Sequence, residues 1–193
     1  MGLKINTLAE IPENVSKSYY LYILDYYHWD EPIGNTLRNS FDKIAEFAAK
    51  NDSVVIQGIS ESHFYSELMS WESINGIDPK DLLPALLITT IHPQYFLNEN
   101  DKQIKGEKIP EDNLIFIEIG KICKSPQDVI KLIEKIFKDI QERKDIKNFQ
   151  VKKELKAGIG KVLNDAIILE PNFMGVGVNF NKIFNFLKKD TVE

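Results

Sequence analysis

Pro84-Ala85-Leu86-Leu87-Ile88-Thr89-Thr90 sets a proline directly before an apolar run. Proline has no amide hydrogen to give to a ladder, so it is found at strand starts and in constrained turns. The run therefore reads as a buried strand entered through Pro84. Upstream, Ile74-Asn-Gly-Ile-Asp-Pro79 is dense in turn formers, and Asp81 to Leu83 lead into the proline. Downstream, residues 98–113 are polar, contain Gly106 and Pro110, and read as a long hairpin-like connection. The chain then re-enters the sheet as Leu114-Ile-Phe-Ile-Glu-Ile119. Ser125-Pro126-Gln127-Asp128 is a helix start, with serine as cap, proline at the first helical position and an acid in the first turn. Val129, Leu132, Ile133, Ile136, Phe137 and Ile140 mark the buried face of that helix.

The half of the chain before Pro84 alternates. Tyr19-Tyr-Leu-Tyr-Ile-Leu-Asp25 is an aromatic and β-branched run, too short for a typical helix, and reads as a buried strand. After a loop with Pro32 and Gly34, Leu37, Phe41, Ile44, Ala45 and Ala48 recur at helical spacing, with Asn35 expected as the cap. Ser53 to Gln57 is the next strand, ended by Gly58. Ser60 then opens a helix carrying Phe64, Leu68, Met69 and Trp71. Leu3 to Asn6 adds an edge strand.

Strand, helix, strand, helix, then proline-strand, hairpin, strand and helix resembles the order of the thioredoxin-like fold. Two local stretches carry the resemblance further. Asp25-Tyr-Tyr-His-Trp29-Asp30-Glu31-Pro32-Ile33 is similar to the family's active-site stretch, in which an aromatic strand end leads to Trp-Cys-Gly-Pro-Cys and a helix. Trp29 and Pro32 match, Asp30 and Ile33 stand where the two cysteines would be, and the helix spacing differs by one residue. Leu83-Pro84-Ala85 resembles the family's cis-proline segment, which lies beside that site. The resemblance covers roughly residues 19 to 142 and implies a central mixed sheet with flanking helices.

The departure decides the chemistry. Thiol–disulfide exchange needs a thiolate and, in its dithiol form, a resolving sulfur, which a carboxylate and an isoleucine cannot supply. The single cysteine, Cys123, follows the last core strand without a cysteine partner, and its simplest role is a small buried hydrophobe. One cysteine also excludes intramolecular disulfides and cysteine-based zinc cages, as expected of a reducing, cytoplasmic setting. What the resemblance leaves is a groove that holds extended polypeptide by strand addition. Trp29, Ile33, Leu83 and Pro84 would form its apolar floor, with Asp30 and Glu31 as an acidic rim beside Pro32.

Composition narrows the partners. The 193 residues are 43% hydrophobic and 27% charged, which suits one folded domain of ordinary size. No apolar run approaches the ~18 residues that span a bilayer, and the first residues have no secretory-signal pattern. Net charge is −5, and only Arg38 and Arg143 are arginine, so the clustered guanidinium surface that grips nucleic acid is missing. The charge is uneven: residues 144–193 carry nine lysines against six acids, net +3. Lysines solvating helices are the simpler account of that bias, and an acidic partner is the other.

Other constellations are weaker. His28, beside Asp25, Asp30 and Glu31, is the best of three histidines for a metal or acid–base site, but His28, His63 and His92 make no HExxH-like pair. Ser60 and Ser62 beside His63 fit a helix start and not a nucleophile elbow. Ala157-Gly-Ile-Gly-Lys161 and Met174-Gly-Val-Gly-Val178 complete no nucleotide-binding loop. Beyond residue 145 the pattern restarts. Val151, Leu155, Ile159, Val162 and Leu163 have helical spacing, Ala166 to Leu169 reads as a short strand, and Phe180, Ile183, Phe184 and Leu187 line a last helix. That helix is expected to dock on its own domain or on a partner subunit, not on a membrane.

The sequence thus predicts an α/β thioredoxin-like core over residues 1–145, with a C-terminal α/β extension, residues 146–193, packed on it. The expected function is a non-catalytic interaction or adaptor subunit without cofactor or metal. It would hold another protein subunit or an extended peptide through the degenerate groove, or through Phe180 and Phe184 of the extension. The alternative is an enzyme with acid–base or metal chemistry at His28, Asp30 and Glu31.

Overall fold

The computed structural model describes residues 1–25, 32–59, 64–69, 83–97 and 113–156. Among these, five strands form one mixed sheet: β1 (Gly2–Ile5), β2 (Tyr19–Leu24), β3 (Ser53–Gly58), β4 (Ala85–Thr89) and β5 (Leu114–Glu118). Their spatial order is β1-β3-β2-β4-β5. β3 runs parallel to both β1 and β2, whereas β4 is antiparallel to β2 and to β5. A parallel neighbour needs a crossover. Two helices follow β2, α1 (Pro32–Asn39) and α2 (Phe41–Lys50), before the chain enters β3. The helices α3 (Phe64–Met69), α4 (Gln94–Leu97), α5 (Ile119–Ile122), α6 (Pro126–Gln141) and α7 (Gln150–Lys156) complete the described elements, with short 3-10 turns at Leu8–Glu10 and Ile146–Asn148.

Successive strand side chains point to opposite faces, and on β2, β3 and β4 both faces are buried. Tyr19, Leu21 and Ile23 of β2 join Val55, Leu86, Ile88, Ile115 and Ile117 on one face, under Leu37, Phe41, Ile44 and the α6 residues Val129, Leu132, Ile133 and Ile136. Tyr20, Tyr22 and Leu24 join Val54, Ile56, Ala85 and Leu87 on the other, under Leu8, Phe64 and Leu68. This is why residues 19–24 carry no polar alternation: β2 is a central strand with no solvent side. At the edge, Gly2 lies under α2, where a Cβ would stand 2.5 Å from the Ala45 Cβ. Asp52, at a left-handed φ of 48°, accepts from Ser18 Oγ at 2.7 Å and Lys17 Nζ at 3.1 Å, tying the entries of β2 and β3. Those two bonds hold its carboxyl below the usual carboxylate range.

The expected apolar stripe from Leu37 to Ala48 is present, but it spans two helices that meet at Ser40. The Ser40 amide is shared between the Thr36 and Leu37 carbonyls, at 3.1 and 3.2 Å, a tightened turn that keeps the stripe on one side. Asn35 is not the N-cap. α1 begins at Pro32, whose fixed φ suits a first helical position, and Asn35 lies inside the helix, accepting from Arg38 Nη2. Ser125 does cap α6, accepting from the Asp128 amide at 3.3 Å. Ile119, read as the last residue of a strand, instead opens α5.

Past residue 145 the chain continues the first core cluster through Ile146, Phe149 and Val151. Polar bonds fix this segment. Asp139, buried on α6, accepts from Lys144 Nζ at 2.7 Å and from the Gln150 amide at 2.6 Å. The bonds to Asp139 and Glu142 raise the Lys144 pKa. Tyr19 Oη donates to the Lys144 carbonyl at 2.7 Å, and Lys135, only 3% exposed, is paired with Glu154 at 3.1 Å. Lys152 Nζ donates to the Leu114 carbonyl at 3.0 Å, bringing α7 to the start of β5. Ala157-Gly-Ile-Gly-Lys161, the strand expected at 166–169 and the helix expected to bear Phe180 and Phe184 lie outside the described residues. None of the helices among the described residues is long and apolar enough to cross a membrane.

Candidate functional site

One end of the sheet gathers the described parts of the predicted groove. In the β2–β4 register Leu24 faces Ala85, so Asp25, one residue past β2, and Pro84, one residue before β4, meet at the same edge. The Leu83–Pro84 peptide is cis, as the sequence resemblance implies. The Ile119 amide donates to the Pro84 carbonyl at 2.9 Å, extending the β4–β5 ladder past its last strand pair. Gly120 lies beside the proline, where a Cβ would stand at an ordinary 3.7 Å from Pro84 Cδ.

Beneath α1 sits a buried ion pair. Asp25 is 1% exposed and accepts from Arg38 Nη1, and the second Arg38 amine donates to Asn35 Oδ1. An ionised carboxylate is buried at high cost unless a cation and hydrogen bonds compensate it, and Arg38 supplies both. Gly34, buried in the first turns of α1, is what lets the helix approach: a Cβ there would stand 3.0 Å from Asp25 Oδ1 and 3.1 Å from Oδ2. Thr36 Oγ1 donates to the Pro32 carbonyl at 2.7 Å, closing the first turn.

The remaining groove residues divide between surface and core. Pro32 is exposed and Ile33 half-buried against the first core cluster. Leu83 packs inward with the second cluster, across the sheet from Ile33, and is 6% exposed; Pro84 beside it is also buried. Of this pair, the Pro84 carbonyl is already engaged by the Ile119 amide. Trp29, Asp30, Glu31 and His28 lie outside the described residues, as do His63, Phe180 and Phe184. His92 stands away from this end: its Nδ1 accepts from the Gln94 amide at 3.2 Å, starting α4, and its ring meets Tyr20 edge-on at 5.6 Å. Among the described residues no three His, Cys, Asp or Glu side chains form a metal-holding group.

Cys123 is fully buried in the first core cluster, just beyond α5. Burial, with a smaller contribution from Asp128, pushes its thiol up to about 12. At pH 7 the thiolate fraction is then on the order of one in a hundred thousand, too little for nucleophilic chemistry. The role of Arg38 was not read from the sequence. Its signal was faint: an arginine four residues after Gly34 in a chain with only two arginines, opposite an aspartate that ends an otherwise apolar strand.

The chain matches no family model, no curated protein and no solved structure.

Proposed function

We propose that this chain is a non-catalytic protein-interaction or adaptor subunit, built on a redox-inactive thioredoxin-like domain and working in the cytoplasm. It takes another protein subunit, through an extended segment, at the sheet end where β2 leads to α1 beside Leu83–Pro84. The family reading is supported by the order of elements and by the mixed sheet with helices on both faces. The observation that carries the functional reading is a site geometry without its thiol chemistry. The strand exit, helix start and proline segment share one edge, while the single thiol of the chain is buried in the core. The proposed mode of binding is addition of an extended peptide alongside the Leu83–Pro84 segment. Trp29 and Ile33 supply apolar contact, and Asp30 and Glu31 favour a partner with basic residues near that contact.

The test is mild affinity capture of the tagged full chain from its own host, with mass spectrometry of what co-elutes. A protein recovered in stoichiometric amount is the expected result. A lone monomer carrying a metal or small molecule would overturn the adaptor reading and direct attention to acid–base or metal chemistry at His28, Asp30 and Glu31.

A further inference from the structure

We draw no further inference here: the strongest candidate, the half-buried apolar rim of Leu114 and Phe116 on the outer edge strand β5, carries none because nothing in the structure shows what covers it.

Discussion

A methyl group at position 34 would be welcome in most helices and is unwelcome in this one. Replacing an exposed helical glycine by alanine typically gains about 1 kcal/mol. Here the new Cβ would press on the Asp25 carboxylate at 3.0 Å, and Arg38 holds that carboxylate in place. Gly34→Ala should therefore lower stability, by about 1 to 3 kcal/mol as for other overpacked sites, read as a lower urea midpoint. A raised midpoint would contradict the close approach of α1 to Asp25. Cys123 offers a second test. In the unfolded chain a thiol ionises from about pH 8.5, whereas in the folded chain Cys123 keeps its proton to about 12. Between those values the folded state binds the extra proton, so stability falls as pH rises. From pH 7 to pH 10 the wild type should lose about 2 kcal/mol more than Cys123→Ala. Equal losses in urea denaturation at the two pH values would contradict the buried thiol. The same thiol should react with a disulfide reagent at pH 8 only once the chain is unfolded.

At the level of elements, α6 and α7 are joined by a carboxylate. Asp139 accepts from both Lys144 and the Gln150 amide, and hydrogen bonds to charged groups are worth roughly 1.5 to 3 kcal/mol each. Asp139→Ala should cost about 2 to 3 kcal/mol and speed hydrogen exchange at the Gln150 amide. Unchanged exchange there would show that α7 is held by its apolar face alone. This joint was not legible in the sequence, because Asp139 and Gln150 meet only after a turn through Arg143, which adopts a φ of 50°. Elements with strong local signals were legible. Ser125-Pro126 announced α6, Pro84 announced β4, and the unbroken run at 19–24 announced the central strand. The break at Ser40 was not, since Leu37, Phe41 and Ile44 keep one stripe across it and periodicity cannot detect a tightened turn. The site divides the same way. Pro32, Ile33 and Pro84 could be picked out by their residue types, whereas the inward turn of Leu83 depends on which sheet face it meets.

At the scale of the molecule, both faces of the central strands are covered and the one thiol is sealed in the core. The end that gathers Asp25, α1 and Pro84, which we propose holds an extended peptide, has no thiolate to work with. The most direct test of the central claim is the light-scattering mass of the chain purified with its captured partner, compared between wild type and a Trp29→Ala variant whose fold is checked by circular dichroism. The account predicts a stoichiometric complex for the wild type and the mass of the chain alone for Trp29→Ala. A complex of unchanged mass in the variant, or a monomer in both, would contradict it.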